Sequence, residues 1–145
     1  PGELRAVGKR RDGTVACQAS LRTAGPPVAL RLSADRDTLS TSPGDAAHVS
    51  VEAVDSAGSV VPGAAHLVRF ALSGGSLSLD NADLQDLTPY GAPERRLFNG
   101  RALAVLRAKQ PGSLTLAARA QGLREATLTL PVRPAAQVPT VPPAR

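Results

Sequence analysis

The chain has 145 residues, which is enough for one domain with its own core, or for one domain and part of a neighbour. Its formal charge of +5 comes from arginines scattered along the sequence, and only 2% of the residues are aromatic, which argues against a nucleic-acid-binding surface. No apolar run approaches the length of a membrane-spanning helix, and the single cysteine, Cys17, excludes an internal disulfide. We therefore expect neither nucleic acid nor a membrane as a partner, and a fold stabilised by its core alone.

The first predicted element is a β-hairpin. Residues 3–10 and 14–22 are strand-like, and Arg11-Asp12-Gly13 forms the turn between them. Because two strands cannot bury a core, we interpret residues 1–26 as the closing hairpin of a preceding domain. The sequence contains no methionine and its first residues already have a strand pattern, which indicates a piece of a longer protein. Pro26-Pro27 follows as a stiff connector.

Residues 27–133 have the sequence pattern of a sandwich. Apolar and polar residues alternate with a period of two, as in strands with one face in a core and one in water. Turn sequences such as Asp55-Ser-Ala-Gly58 and Gln110-Pro111-Gly112 separate these runs. The pattern predicts an all-β fold, an immunoglobulin-like antiparallel β-sandwich of about seven strands. Residues 134–145 are rich in proline and are predicted to form a tail or linker.

The predicted core is poor in aromatic residues and consists mainly of leucine and valine. Its expected members are Leu30, Leu32, Val49, Val51, Val54, Val68, Phe70, Leu72, Leu103, Val105, Leu114, Leu116, Leu128 and Leu130. Phe98 is expected to cap this core at the end of a long loop.

The residues that acid–base or nucleophilic catalysis needs do not form a recognisable set. The glutamates lie in turn-like sequence, at a strand start or on an outward strand position, and nothing places two of them together. The two histidines, His48 and His66, lie in or beside strands without a nucleophile elbow, and there is no Cys/His pattern for zinc. We expect no catalytic residue and no cofactor.

Two weaker ligand hypotheses remain. The dense group of oxygen ligands formed by Asp80, Asn81, Asp83 and Asp86 could bind calcium, although its spacing fits no EF-hand. A loop stabilised by its own hydrogen bonds is the better interpretation of these residues. Tyr90, between a proline and a glycine, is the aromatic residue expected to be exposed and could make a weak sugar contact. One aromatic side chain does not make a dedicated carbohydrate-binding module.

A family resemblance rests on the order of several segments. These are Pro1-Gly-Glu-Leu-Arg-Ala, Leu21-Arg-Thr-Ala-Gly-Pro-Pro27 and the turn-rich stretch SLSLDNADLQDLTPYGAPERRLFNG at residues 76–100. Together they resemble the C-terminal immunoglobulin-like region of bacterial family 2 glycoside hydrolases, the β-galactosidase group, over residues 1 to about 132. Where the family pattern usually reads Asp-Asn-Gly-Asp, this chain has Ala82 in place of the glycine.

The resemblance implies a non-catalytic accessory domain. In these enzymes the catalytic pair of carboxylates belongs to a separate barrel domain, so none is expected here. The implied role is to pack against other domains of the same polypeptide, to space them, or to shape oligomer contacts. The parent protein would be a β-galactosidase-like hydrolase, and a periplasmic or secreted location is favoured over a cytoplasmic one.

One competing interpretation is a bacterial surface repeat of the invasin type. The pattern of such repeats is fitted by three segments, Leu32-Ser-Ala-Asp35, Val49-Ser-Val51 and Asp55-Ser-Ala-Gly58.

A second open point is the partner of the hairpin, because residues 3–22 have an apolar set on alternate positions. We expect these residues either to form a homodimer or to dock on the sandwich of the same chain. The set is Leu4, Ala6, Val15, Cys17, Ala19 and Leu21.

Overall fold

The computed structural model describes residues 2–136, which form eleven strands. In chain order these are β1 (Glu3–Lys9), β2 (Val15–Arg22), β3 (Ala29–Ala34), β4 (Leu39–Ser40), β5 (Ala47–Val54), β6 (Leu67–Ser73), β7 (Gly75–Asp80), β8 (Glu94–Arg96), β9 (Arg101–Ala108), β10 (Gly112–Ala120) and β11 (Ala126–Arg133). Across these residues no helix is long and apolar enough to be a candidate for crossing a membrane.

Two sheets pack face to face to form a sandwich. One has the strand order β4-β11-β10-β6-β8 and the other the order β3-β5-β9-β7. Neighbouring strands are antiparallel, apart from the short parallel pair of β4 and β11. The predicted all-β, immunoglobulin-like sandwich is confirmed. Strands β1 and β2 form a separate two-stranded sheet.

The core lies between the two inner faces and is built of small and branched side chains. Phe70 is its aromatic member, and the fully enclosed leucines and valines come from both sheets. Leu32, Leu72 and Leu128 are half-buried at its edge. Among the residues predicted for the core, those that are buried are Leu30, Val49, Val51, Val54, Val68, Phe70, Leu114, Leu116 and Leu130.

The predicted inward face of β9 is wrong. Ala102, Ala104 and Leu106 face the core, whereas Leu103 and Val105 lie half-exposed on the outer face of the sheet. Both sets are apolar, so alternation alone does not distinguish them. The pairing with β5 decides the face, since Ala104 lies opposite the buried Val49.

Phe98 also departs from the prediction. It was expected to cap the core, but its side chain is 41% exposed. The neighbouring Leu97 is fully enclosed instead and belongs to the core cluster. The chain reverses immediately afterwards at Asn99-Gly100, where Phe98 pairs with Arg101. The short reversal leaves room for one of the two adjacent side chains to point inward.

Antiparallel pairing brings several loops to one end of the sandwich. β5 ends at Val54 beside the start of β3, and β7 ends at Asp80 beside the start of β9. The connector at residues 23–28 and the loops at residues 55–66, 81–93 and 121–125 therefore share this end, which we call the hairpin end. The chain leaves β11 at the far end, where Val132 pairs with Leu39 of β4 and with Gly112 of β10.

The hairpin extends from the hairpin end and has an uncovered apolar face. Leu4 pairs with Leu21 and Ala6 with Ala19, so these side chains lie on one face of the ribbon. Leu4 and Leu21 are each 72% exposed. The hairpin therefore does not dock along its own sandwich, which excludes one of the two expected arrangements. The homodimer stays a prediction.

Leu106 and Leu103 provide a matched test of the sandwich. Leu106→Ala removes a fully buried side chain from the core and should lower the free energy of unfolding by about 2–5 kcal/mol. Leu103→Ala, on the same strand but the outer face, should cost about 1 kcal/mol or less. Urea denaturation of both variants measures the difference. Equal losses would show that the face of β9 is assigned incorrectly.

Candidate interface at the hairpin end

A buried carboxylate ties the connector to the sandwich. Asp55, 7% exposed, follows β5 and accepts a hydrogen bond at Oδ2 from the backbone N–H of Gly25, 2.8 Å away. Its Oδ1 accepts from the N–H groups of Ala57 (2.9 Å) and Ser59 (2.8 Å). These donors hold the pKa of Asp55 below its usual value, the bond from Gly25 contributing most. One side chain thus shapes the turn and anchors the connector.

Backbone bonds continue on both sides of this anchor. Gly2 and Thr23 bond each other twice and close the base of the hairpin. Val28 donates to the carbonyl of Val54 at 2.9 Å and accepts from the N–H of Arg124 at 3.0 Å. The connector is therefore bonded to the hairpin at one end and to the sandwich at the other. Pro26-Pro27 was predicted to be stiff, and these bonds add a fixed direction.

The role of Asp55 was missed in the sequence, where Asp55-Ser-Ala-Gly58 indicated only a turn. The available signal was an aspartate directly after a buried strand and three residues before a glycine with positive φ (80°). That arrangement predicts the bonds to Ala57 and Ser59. It does not predict the bond to Gly25, which lies thirty residues earlier in the chain.

The loop at residues 81–93 is organised around a buried arginine. Arg95 of β8 is 1% exposed, and its Nη2 donates to the carbonyl oxygens of Leu79 (2.9 Å) and Pro89 (3.0 Å). Its Nη1 lies 3.2 Å from Oδ2 of Asp86. The guanidinium carbon lies 5.9 Å from the centre of the Tyr90 ring, within the range of a cation–π contact. One side chain therefore contacts the strand before the loop and two places within it.

Asn81 and Asp86 complete this bracing. The side-chain amide of Asn81, a buried residue, donates to Oδ2 of Asp86 (2.8 Å) and to the carbonyl of Arg96 (2.9 Å). Thr88, and then Arg95, hold the pKa of Asp86 far below its usual range. The stabilisation by this carboxylate is thus complete above the unfolded pKa of about 4 and is lost as the pH falls through the lower folded pKa.

The four oxygen ligands considered for calcium all take part in loop hydrogen bonds. Asp80 accepts from the N–H groups of Asn81 and Ala82, Asp83 from that of Gln85, and Asp86 from that of Thr88. Over residues 2–136 no group of three or more His, Cys, Asp or Glu side chains has a geometry for metal binding. These hydrogen bonds stabilise the segment through its own side chains, and calcium binding by these residues stays a hypothesis.

Ala82 adopts the backbone conformation that the glycine of the family pattern would favour. Its φ of 59° lies in the left-handed region, which disfavours side chains with a Cβ atom. The bond from its N–H to the carboxylate of Asp80 (3.2 Å) and the one from the N–H of Asp83 to Asn81 (3.0 Å) hold the turn on both sides. These bonds hold Ala82 in the left-handed conformation.

This braced loop presents apolar side chains to solvent. Leu84 is 99% exposed, Leu87 92% and Tyr90 67%. We call these three residues the apolar tip. The expected exposure of Tyr90 is confirmed, whereas its weak sugar contact stays a prediction. The two leucines were not singled out in the sequence, where they are indistinguishable from leucines that face a core.

The other residues weighed for catalysis lie in surface ion pairs or strand positions. Glu52 contacts Arg31 at 2.7 Å and Arg101 at 3.1 Å, and the remaining glutamates each pair with one exposed arginine. His48 lies with its Nδ1 3.4 Å from the carboxylate of Asp35. His66 lies beside Leu67 at the start of β6. Among residues 2–136 each glutamate is thus paired with at least one arginine.

Comparison with known proteins identifies the family. Residues 30–129 match the model of glycoside hydrolase family 2 C-terminal domain 5. The chain belongs to this family. It is similar to the β-galactosidase BoGH2A of Bacteroides ovatus, with 32% identity over 133 residues that cover 90% of this chain and 16% of the relative.

Solved structures agree with this assignment. A glycosyl hydrolase family 2 member from Bacteroides cellulosilyticus superposes with a TM-score of 0.82 and 28% identity, over 91% of this chain and 17% of that protein. The family 2 C-terminal domain thus spans less than a fifth of these relatives. A C-terminal fragment of intimin superposes with a TM-score of 0.52 and 19% identity, which shows a shared fold alone. The family match therefore favours the hydrolase interpretation over the surface repeat.

The bracing by Arg95 is testable with its neighbour as the control. Arg95→Met removes the bonds to Leu79 and Pro89 and should lower the free energy of unfolding by about 2 kcal/mol or more, since bonds from a charged donor contribute about 1.5–3 kcal/mol each. Arg96→Met removes one exposed bond, to the carbonyl of Ala65, and should cost less than about 1 kcal/mol. Urea denaturation and proteolysis of residues 81–93 measure both effects. Equal behaviour of the two variants would contradict the role of Arg95.

Proposed function

We propose that this chain is a non-catalytic accessory domain of a family 2 glycoside hydrolase resembling the β-galactosidases. In that enzyme it would pack against the preceding domain and hold it at a fixed angle. The observation that supports this most directly is the hairpin, which has an uncovered apolar face and a bonded, proline-stiffened connector. In the isolated chain the apolar face of the hairpin stays exposed to water, and a neighbouring domain would cover it.

The hairpin supports a partner within the same polypeptide. A two-stranded ribbon is at best marginally stable alone, and its exposed leucines and alanines favour a further layer of protein. In this family a C-terminal domain follows other domains, and the relatives are about six times longer than this chain. We infer that the apolar face of the hairpin belongs to the core of the preceding domain.

The connector would then set the angle between the two domains. The Asp55 carboxylate bonds Gly25, and β-type bonds fix Val28, so only the proline pair lies between anchored residues. A hairpin held in this way moves with the sandwich as one body. Its role would be mechanical, with the chemistry supplied by residues elsewhere in the enzyme.

Enzyme assays test the absence of catalysis in this domain. The purified chain should not hydrolyse an aryl β-galactoside, because the two free carboxyl groups that glycoside hydrolysis needs are not available where each glutamate is paired with arginine. The natural full-length protein should hydrolyse it under the same conditions. Hydrolysis by the purified chain would contradict the proposal if heat denaturation of the chain also abolished that activity. A full-length protein without a catalytic domain would contradict it as well.

Removal of the hairpin tests the domain boundary. Deletion of residues 1–26 should leave a cooperatively folded sandwich, because the core cluster contains no residue of the hairpin. The midpoint of unfolding should fall slightly, since Asp55 loses its bond from Gly25. Circular dichroism during urea titration measures this.

The same deletion tests the homodimer. Sedimentation should show that any dimer of the full chain is lost when residues 1–26 are removed. If the shortened chain is instead unfolded, the hairpin is part of the sandwich domain and the boundary at Pro26-Pro27 is wrong.

A further inference from the structure

We propose that the apolar tip, Leu84, Leu87 and Tyr90, is a second docking contact between this domain and the part of the same polypeptide that precedes it. The inference rests on the accessory function proposed above and adds a specific contact to it. The partner surface would be an apolar depression with a hydrogen-bonding group at its rim for the Tyr90 hydroxyl.

The exposure of the tip has no explanation within the domain. Leu84 and Leu87 are almost fully solvated, more so than any other large apolar side chain among residues 2–136. Neither contributes to the core cluster. Single exposed leucines are common on protein surfaces, but these two lie with an exposed tyrosine in one seven-residue segment. Such a segment is typical of a surface that is covered in the complete protein.

The tip is held in a defined shape, as a docking surface requires. The N–H of Asp86 donates to the carbonyl of Asp83 at 3.1 Å, which forms a turn with Leu84 and Gln85 at its corner. Arg95 holds the base of the segment through Asp86 and Pro89. A preorganised segment loses little conformational freedom when it binds. The buried arginine therefore supports a surface that the isolated domain does not itself use.

The position of the tip indicates which partner covers it. The loop lies at the hairpin end, the end at which the connector joins the sandwich, whereas the chain leaves β11 at the far end. The family is described as a C-terminal domain, and more than four-fifths of BoGH2A lies outside the matched region. The connector leads into β3 and the tip follows β7, at opposite edges of one sheet, so a preceding domain that covers this end of the sandwich would reach both. A second copy of this chain is the competing occupant.

Side-chain footprinting compares the tip in the purified chain and in the natural full-length enzyme. Hydroxyl-radical oxidation of Leu84, Leu87 and Tyr90, read by mass spectrometry, should fall by about fivefold or more in the full-length enzyme, as expected for a buried interface core. Exposed Pro111 at the far end serves as the internal reference and should be oxidised equally in both.

Matched variants separate docking from folding. The double variant Leu84→Ser/Leu87→Ser and the control Gln85→Ser, in the corner of the same turn, should both keep the unfolding midpoint of the purified chain, since all three side chains are exposed. In the full-length enzyme only the double variant should restore the oxidation of Tyr90 to the level of the purified chain.

Two results would overturn the inference. The first is equal oxidation of the tip in the chain and in an active full-length enzyme, which would leave the accessory function standing without this contact. The second is protection of the tip in the purified chain that grows with protein concentration, which would assign the surface to a second copy. A full-length protein that lacks a catalytic domain would instead refute the proposed function itself.

Discussion

The hydrogen bond from Gly25 to the carboxylate of Asp55 joins the two parts of this molecule. Without it, the hairpin and the sandwich would be two units linked by a proline-containing strip of chain. With it, the last residues before Pro26-Pro27 are bonded to a turn of the sandwich. Because the carboxylate is buried and accepts three backbone donors, its loss would leave those donors unpaired. The sandwich thus fixes the direction in which the hairpin extends. This is the physical basis for a role in positioning the preceding domain.

A second buried charge organises the neighbouring loop. Burial of a guanidinium is unfavourable unless its donors are paired. The two Nη atoms of Arg95 contact two carbonyl oxygens and the carboxylate of Asp86, whereas its buried Nε has no partner among the described residues. Removal of Arg95 would leave the carboxylate of Asp86 and the two carbonyl oxygens without this donor, so the pairing also fixes the conformation of the loop. Among residues 2–136 the buried polar or charged residues are Asp55, Asn81 and Arg95, while the core between the sheets is apolar. Asp55 and Arg95 shape surfaces that the isolated domain leaves open, which suggests that the hairpin end faces the rest of the enzyme.

The fold was predictable because most strands alternate clearly between apolar and polar residues. β9 was the exception, since Ala102 to Leu106 is apolar on both faces, and only its pairing with β5 shows which face is inside. The same limit applies to Phe98, because the choice between Leu97 and Phe98 as the inward residue depends on the reversal at Asn99-Gly100. Local patterns predict that strands exist, and tertiary register decides what they bury.

The candidate site was less predictable for a related reason. The acidic loop offered oxygen ligands in sequence, but the cation that pairs with one of them is Arg95, in the pair Arg95-Arg96 nine residues after Asp86. Side chains alternate between the two faces of the short strand β8, so one of the two arginines points inward and the other outward. The strand has three residues, too few for a sequence pattern that shows which one is inside. The contact of Asp55 was equally hard to predict, since its partner Gly25 is close in space and distant in sequence.

The central claim is that the hairpin end of this domain faces the preceding part of a family 2 hydrolase at a fixed angle. A cryo-electron microscopy structure of the natural full-length enzyme tests it most directly. The account predicts that Leu4 and Leu21 are enclosed by the preceding domain and that Asp55 still bonds Gly25. A structure in which the apolar face of the hairpin is solvated, or in which Asp55 no longer bonds Gly25, would contradict it.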